Sequence, residues 1–277
     1  MKGSDRLLLC DMHSHTNHSI DGRVSPDEMV ARAHELGIAV LDISDHCDVN
    51  RDAELHCYER SLASVTDALR LKAEYAGRMR VLAGIEVGNA HWNPALAEKC
   101  VSIPGIDCVI GSVHRIKYDG GVLVTSTADF GSMSPELLCA LNIKYFEDIL
   151  LMLDTLHPDI LAHPTYMFRY MVNHCHVDAD IADYKPYVDA FLRGIISDGT
   201  ALELNTSIVA DRIEPYDVFV LERYHELGGR LITLGSDAHR PDRIANGFDL
   251  ALRELLRVGF THICSVEERQ FISHKIV

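Results

Sequence analysis

Two histidines one residue apart, His13 and His15, follow the apolar run from Leu7 to Met12 near the start of the chain. On a β-strand, residues i and i+2 point to the same face, so both imidazoles can reach one point. Imidazole nitrogens at this spacing can bind a metal ion. An isolated His-x-His is more often only the exposed end of a strand, so the pair needs support from the rest of the chain.

That support comes from a recurring arrangement in which a short apolar run ends in His, Glu or Asp. The ends of these runs, with the loop after the first of them, supply nine candidate metal ligands: His13, His15, Asp21, His46, Glu86, His114, His163, Asp237 and His239. Any one of these positions can be a hydrogen-bonded structural residue, but six histidines and three acids at matching positions are hard to explain by packing. Imidazole and carboxylate without paired Cys suit Zn, Mn or Fe in a catalytic role. Nine ligands exceed what one ion accepts, so the pattern predicts more than one metal ion.

Seven β-rich runs alternate with helical stretches along the chain, which predicts a parallel sheet covered on both faces. In an open sheet the ligand sits at one switch point between strands, whereas in a barrel all strand ends meet at one mouth. Because all seven runs carry polar or ionisable groups at their C-terminal ends, the pattern favours a (β/α)7 barrel.

Local signals place the helices between these runs. Ser25-Pro26 and Ser134-Pro135 each place Ser at an N-cap and Pro at the first helical position, which predicts helices that run to about Leu36 and Leu156. The other predictions are helices at about 52–76, 182–197, 215–227 and 245–258, loops at 119–134 and around His174 and His176, and a final strand at 261–266.

Length and composition limit the class of protein. At 277 residues the chain is close to the roughly 250 residues of one barrel, so we expect a single domain over residues 1–277. A net charge of −15 argues against a long nucleic acid as partner, although bound cations would still permit a small anionic substrate. No apolar stretch is long enough to cross a bilayer or resembles a signal peptide, and the eight scattered Cys lack C-x-x-C spacing, so we expect no membrane association and a cytoplasmic location.

Seven segments of the sequence closely resemble the PHP (polymerase and histidinol phosphatase) superfamily, and their order and spacing most resemble its histidinol-phosphate phosphatases. The segments are H-x-H-T-x-x-S-x-D-G, S-D-H, G-I-E-V, G-S-V-H, A-H-P, E-L-N-T-S and G-S-D-A-H. The resemblance implies a distorted (β/α)7 TIM-like barrel with three divalent ions, Zn, Mn or Fe, at its C-terminal mouth. It also implies ligand roles: His13, His15, Glu86 and Asp237 for the first ion, Glu86, His114 and His163 for the second, and Asp21, His46 and His239 for the third.

The activity implied is metal-dependent hydrolysis of a phosphate monoester, most simply L-histidinol phosphate in histidine biosynthesis. A hydroxide shared by two ions bridged by Glu86 would attack phosphorus, and Asp237 or His239 would handle the proton passed to the leaving group. Two alternatives stay open. One is a related phosphatase or phosphodiesterase that acts on a nucleotide or sugar phosphate, and the other is a metal-binding domain without activity, which the complete ligand set disfavours.

The phosphate-binding residues are a separate prediction, because arginine binds phosphate through two parallel hydrogen bonds. The candidates are Arg115, Arg169 and Arg212, with His18 expected to line the mouth. Arg169 and Arg212 are the nearest counterparts of basic residues that contact phosphate in the histidinol-phosphatase group. Their spacing is shifted, and Pro164-Thr165 stands where that group tends to have Leu-Asp, which keeps a different substrate in consideration. Glu203 lies inside an apolar run and is expected to support the ligands rather than bind metal.

Overall fold

The computed structural model describes residues 8–51 and 56–276, and a sheet of parallel strands organises them. Within these residues the strands are β1 (Cys10–Asp11), β2 (Val40–Ile43), β3 (His46–Asp48), β4 (Arg80–Gly88), β5 (Cys108–Ser112), β6 (Arg115–Tyr118), β7 (Gly121–Val124), β8 (Ile160–Leu161), β9 (Ala201–Asn205), β10 (Ile232–Gly235), β11 (His262–Glu267) and β12 (Gln270–Lys275). The main sheet has the order β1-β2-β4-β5-β8-β9-β10, and β3 pairs with the second half of β4.

Helices connect the strands of this sheet. Those of eight residues or more in the described chain are α1 (Pro26–Glu35), α2 (Cys57–Glu74), α3 (Pro94–Val101), α4 (Pro135–Leu156), α5 (Lys185–Asp198), α6 (Pro215–Glu226) and α7 (Phe248–Val258). Ser25 caps α1 by accepting from the Glu28 N–H, and Glu28 completes a capping box. Ser134 caps α4 in the same way by accepting from the Leu137 N–H, so both helices start where their Ser-Pro pairs predict.

The last strand of the sheet returns to the first and nearly closes a barrel. The Met12 N–H donates to the Leu234 carbonyl at 2.8 Å, and the Asp237 N–H donates to the His13 carbonyl at 2.8 Å. Ser14 and Ala238 form a parallel bridge one step further along. These bonds bring the C-terminal ends of β1 and β10 together. The candidate metal ligands lie at this end of the barrel.

The opposite end of the barrel is closed by the last two strands, over an apolar cluster inside the barrel. Met12, Val40 and Ile110 pack inside the barrel in one buried cluster with Val266 of β11, and Phe271 of β12 packs against that cluster. The antiparallel pair β11–β12 therefore covers the N-terminal ends of the strands. A second, larger core lies between the sheet and the surrounding helices.

The seven-stranded barrel predicted from the sequence is confirmed, but two predicted loops differ from the structure and several elements had no prediction. The segment 119–134 is not all loop, because Gly121–Val124 pairs with Arg115–Tyr118 as the hairpin β6–β7. The final strand has a partner, β12, and the predictions had no counterpart for α3 or β3. His174 ends a π-helical segment, Arg169–His174, instead of lying in a loop. The start of the helix predicted at 52–76 lies outside the described residues as far as residue 55, and α2 begins at Cys57.

Across residues 8–51 and 56–276, none of the helices has the length and apolar character needed to cross a bilayer. Six of the eight cysteines are buried, as expected of small apolar side chains, whereas Cys139 is exposed and Cys175 half-buried.

Candidate metal centre

Glu86 lies at the centre of the candidate ligands, fully buried near the end of β4. Five imidazole nitrogens lie within 3.8 Å of its carboxylate. His114 Nε2 and His163 Nε2 are 3.2 and 3.0 Å from Oε1. The nitrogens near Oε2 are His13 Nε2 at 3.5 Å, His15 Nε2 at 3.8 Å and His46 Nδ1 at 2.5 Å. One carboxylate therefore faces ligand-type nitrogens on both of its oxygens.

The remaining candidates extend this cluster toward solvent. Asp237 Oδ1 lies 3.2 Å from His15 Nε2 and 3.7 Å from His239 Nδ1. His239 Nε2 lies 3.3 Å from Asp21 Oδ1, and His46 Nε2 lies 3.7 Å from Asp21 Oδ2. All nine residues predicted as ligands are thus brought together at the C-terminal mouth of the barrel.

The backbone is strained at two of these residues. His163 lies two residues after the end of β8 with φ 27°, and Asp237 lies two residues after the end of β10 with φ 51°. Positive φ is unfavourable for residues with a Cβ and is concentrated at functional sites, where the surrounding structure holds it. The sharp turn at each position aims the side chain across the mouth instead of along the strand.

The chemistry of the cluster fits bound divalent cations. Several ligand-type atoms that face the cluster are buried without a hydrogen-bond partner among the described residues: His13 Nε2, His15 Nε2, His46 Nδ1, Glu86 Oε2 and His239 Nε2. A buried polar atom left unpaired costs about 1–3 kcal/mol, so several in one place need an explanation. Two ligand atoms that bind the same Zn²⁺ ion, each at about 2.0–2.2 Å, lie about 3–3.5 Å from one another. Most of the separations between candidate ligand atoms given above are close to this value.

Polar side chains behind the cluster fix three of the imidazole rings. Glu203 Oε1 lies 2.7 Å from His13 Nδ1, and Asp48 Oδ1 lies 3.1 Å from His114 Nδ1. Ser19 Oγ lies 3.1 Å from His15 Nδ1. Each of these contacts occupies Nδ1 and leaves Nε2 to face the cluster, which is the arrangement found around metal-bound histidines.

Two of these contacts depend on glycines that leave room for a carboxylate. A Cβ on Gly235 would lie 2.1 Å from Glu203 Oε1, and one on Gly88 would lie 2.1 Å from Asp48 Oδ1. Asp45 supports the third contact, because it accepts from Ser19 Oγ at 2.7 Å.

Two carboxylates of the cluster, Glu86 and Asp237, favour their ionised forms. Burial by itself would raise the pKa of Glu86, but the rings of His46, His114 and His13 outweigh it and hold that pKa well below its ordinary value. Burial also opposes ionisation of Asp237, and the surrounding imidazoles again hold the pKa of that carboxyl well below its ordinary value. Glu86 and Asp237 are therefore anionic at neutral pH, as ligands of a cation must be.

A cavity of about 400 Å³ opens beside the cluster. It is lined by three candidate ligands, Asp21, His46 and His114, together with Arg51, Arg115 and Tyr166. The Tyr166 ring lines the cavity beside the cluster, with its centroid 5.3 Å from that of His114 and 5.0 Å from that of His163. The cavity thus offers cationic and aromatic groups to a ligand that reaches the metal centre.

Two of the four residues predicted to bind phosphate or line the mouth lie at this site. Arg115 lines the cavity. Arg169 is buried, with Nη2 donating to Asn205 Oδ1 at 2.7 Å and Nη1 3.7 Å from Asp237 Oδ2.

The other two predicted residues are not brought to the cluster. The His18 ring faces α2 and contacts Asp67 Oδ2 at 2.9 Å. The Arg212 side chain is 68% exposed and pairs with Glu214. In both cases a nearby acid outside the mouth holds the side chain.

Sequence reasoning did not identify Asp48, Ser19 or Tyr166 as parts of the site. Asp48 lies two residues after His46 and so shares its strand face, and Ser19 lies inside the first motif, so both had a local signal. Tyr166 had none, because its place beside the cluster depends on the turn that follows His163.

Comparison with known proteins agrees with the fold. The family described as "PHP domain" matches residues 11–207. A "probable histidinol-phosphatase" of Thermotoga maritima is 25% identical, covering 97% of this chain and all of that protein. A "probable histidinol-phosphatase" of Clostridium acetobutylicum is 29% identical, covering 89% of this chain and 92% of that protein.

A solved structure shares the fold. The crystal structure of histidinol phosphate phosphatase from Lactococcus lactis, complexed with zinc, L-histidinol and phosphate, superposes with a TM-score of 0.72. The two sequences are 21% identical, and the match covers 95% of this chain and 98% of that one.

Proposed function

The chain belongs to the PHP domain family, and we propose that it is a metal-dependent phosphatase that hydrolyses the phosphate monoester of L-histidinol phosphate. The observation that carries this proposal is the position of Glu86, whose carboxylate has five imidazole nitrogens within 3.8 Å at the mouth of the barrel. The relatives named as histidinol-phosphatases, which match nearly the full chain, support the choice of substrate.

Three ions, Zn, Mn or Fe, would be held by the nine clustered residues. His13, His15, Glu86 and Asp237 would hold the first, Glu86, His114 and His163 the second, and Asp21, His46 and His239 the third. Bound divalent cations would supply a nucleophilic water at neutral pH and would offset the negative charge of the phosphoryl oxygens.

The chain's own residues would orient the ester and move its protons. Arg169 is buried with its guanidinium toward Asp237, so it would bind phosphoryl oxygens close to the cluster. Arg115 would contact the part of the substrate that lies in the adjoining cavity. Asp237 or His239 would take the proton that the attacking water releases and pass it to the leaving alkoxide.

A phosphate-release panel tests the proposal. Protein reconstituted separately with zinc, manganese and iron is assayed with L-histidinol phosphate, nucleotide monophosphates and sugar phosphates. We expect the highest kcat/KM with L-histidinol phosphate, loss of activity on chelation, and recovery when metal is returned. His13→Ala should abolish turnover, and His157→Ala, with a side chain 68% exposed on the surface, should not change it. Activity that survives full removal of metal would refute the proposal.

A second candidate function is hydrolysis of a different phosphate ester by the same centre. The position of Arg212 favours it, because this counterpart of a phosphate-binding residue is exposed and paired with Glu214. A higher kcat/KM for a nucleotide or sugar phosphate would select this alternative.

A further inference from the structure

We propose that Asn89 is a positioning residue that sets both the metal ligand His114 and the cavity residue Arg115. Asn89 is fully buried and immediately follows β4, three residues after Glu86. Within residues 8–51 and 56–276 its side-chain hydrogen bonds reach the backbone of His114 and Arg115 and not the side chain of any candidate ligand, so its role is through the backbone that follows β5. The proposal rests on the proposed function for the identity of the ligands and goes beyond it in naming what holds them.

The hydrogen bonds of the Asn89 amide converge on the corner that follows β5. Its Oδ1 accepts from the backbone N–H of His114 at 3.1 Å and from that of Arg115 at 3.1 Å. Its Nδ2 donates to the Arg115 carbonyl at 2.8 Å. The backbone N–H of Asn89 donates to the Ser112 carbonyl at 2.9 Å. One side chain therefore fixes the backbone on both sides of the Cα of Arg115.

The same amide reaches a third loop. Asn50 Nδ2 donates to Asn89 Oδ1 at 3.0 Å, and Asn50 is the neighbour of Arg51, which also lines the cavity. Asn89 thus joins the segments that follow β3, β4 and β5. Of the two arginines that line the cavity, Arg115 is bound directly by this amide, and Arg51 is the neighbour of Asn50, which the amide also binds.

The conformation of Asn89 explains why this residue type stands here. Its backbone is left-handed, with φ 55° and ψ 44°. Asn tolerates that region better than other residues with a Cβ, and Gly adopts it without strain. Only Asn combines this conformation with one acceptor and one donor at the tip of a short side chain.

Two substitutions distinguish the role of the acceptor, Asn89 Oδ1, from that of the donor, Asn89 Nδ2. Asn89→Gly removes both atoms, and Asn89→Asp removes only the donor. Asn89→Gly keeps the backbone conformation and removes every side-chain bond, so His114 and Arg115 both lose their support. Asn89→Asp keeps the shape and the acceptor that holds the His114 N–H, but places a carboxylate oxygen against the Arg115 carbonyl. Asp119→Gly is the matched control, because Asp119 is also left-handed, with φ 47°, and lies exposed at the tip of the hairpin β6–β7.

The primary measurement is zinc binding by competition with a chromophoric chelator, which requires no turnover. We expect Asn89→Gly to weaken one zinc equivalent about 10–100-fold, the usual effect of losing a residue that orients a ligand. The other zinc equivalents should keep their affinities, and Asp119→Gly should bind zinc as the wild type does.

The secondary measurement is KM for whichever ester the panel identifies as substrate. Asn89→Asp should bind zinc with near-native affinity yet show a KM raised severalfold, because only the Arg115 side of the corner is disturbed. Native zinc affinities in folded Asn89→Gly would overturn the proposal, even if its melting temperature fell. If Asn89→Gly does not fold, an unchanged KM in Asn89→Asp would overturn it instead. A failure of the phosphatase assignment would leave the zinc measurement intact, so the two proposals fail separately.

Discussion

Glu203 Oε1 lies 2.7 Å from His13 Nδ1, and Glu203 Oε2 accepts from the His163 backbone N–H at 2.9 Å. One buried carboxylate on β9 therefore fixes two candidate ligands that follow β1 and β8. Glu203 contacts the imidazole ring of His13 but the backbone N–H of His163. It therefore fixes both the orientation of the His13 ring and the turn at His163. The cluster is built by such supports as much as by the ligands themselves.

Glu203→Gln should weaken metal binding about 10–100-fold although the side chain keeps its shape. A glutamine offers one oxygen and one NH₂ group. Whichever way it is turned, the NH₂ replaces an acceptor, either beside His13 Nδ1 or against the His163 N–H and Asn205 Nδ2, which donates to Oε2 at 3.1 Å. Metal content after dialysis and zinc affinity would measure the effect, with circular dichroism as a check on the fold. Zinc affinity equal to that of the wild type would contradict this account of Glu203.

Two of the three arginines predicted to contact phosphate, Arg169 and Arg212, should respond differently to substitution. Arg169→Ala removes a buried guanidinium beside Asn205 and Asp237, so we expect KM to rise at least tenfold and inhibition by inorganic phosphate to weaken similarly. Arg212→Ala removes an exposed side chain paired with Glu214 and should leave both quantities within about twofold of wild type, since exposed pairs contribute little. Steady-state kinetics with phosphate as inhibitor measures both variants. A rise in KM for Arg212→Ala as large as the rise for Arg169→Ala would show that Arg212 moves to the site when substrate binds.

The convergence of the nine candidate ligands could be predicted from the sequence because it depends on local patterns. Each residue lies at or just after an apolar run, and in a barrel the C-terminal ends of all strands meet at one mouth. The starts of α1 and α4 were equally predictable, because Ser25-Pro26 and Ser134-Pro135 carry their own capping signals. Local sequence was sufficient wherever the structure is decided within one turn or one strand.

Glu203 was expected to support the ligands, but which ligand each support contacts could not be predicted from local sequence. Asp48 contacts His114 across 66 residues, and Glu203 contacts His13 across 190, so no local pattern joins them. The hairpin β11–β12 was missed for a different reason. Its turn places Glu268 and Arg269 at φ 49° and 62°, where Gly or Asn usually signals a hairpin. These two residues adopt that turn without providing the usual sequence signal.

The end of the barrel opposite the metal centre should carry stability without carrying function. Asp107 is buried there, with its carboxylate 2.9 Å from Lys72 Nζ on α2 and accepting from the Ala83 N–H of β4 at 3.0 Å and the Glu268 N–H at 3.1 Å. Asp107→Ala should lower the free energy of unfolding by about 3 kcal/mol, because it leaves buried donors unpaired.

Urea denaturation of metal-free protein measures this loss, with Asp249→Ala as the matched control. Asp249 pairs with Arg253 on the surface of α7, where both side chains are mostly exposed, so its loss should cost less than about 1 kcal/mol. Folded Asp107→Ala should bind as many metal ions as the wild type. A metal deficit in this variant would indicate that the two ends of the barrel are coupled.

The stability of the metal-free protein should fall in mild acid partly because of His274. This histidine is buried in β12, far from the candidate ligands, with Nε2 2.8 Å from Ser265 Oγ. Burial, together with the positive charge of Arg80, lowers the pKa of His274 below its ordinary value of 6.5. As pH falls through 6.5, the unfolded chain binds a proton at this position before the folded chain does, so the free energy of unfolding decreases. The contribution of neutral His274 to the free energy of unfolding is fully present above pH 6.5. It decreases as the pH falls from 6.5 to the lowered pKa of His274 in the folded protein, and it does not change further below that pKa.

Urea denaturation from pH 8 to pH 5 on the wild type, His274→Gln and Ser265→Ala separates this contribution from those of the other histidines. His274→Gln should be less stable than the wild type at pH 8, and the gap should narrow below pH 6.5 because glutamine does not titrate. Ser265→Ala removes the hydrogen-bond partner but keeps the buried imidazole, so its curve should lie below that of the wild type and retain the acid decline. Parallel curves for His274→Gln and the wild type across this range would show that burial of His274 does not set the pH dependence.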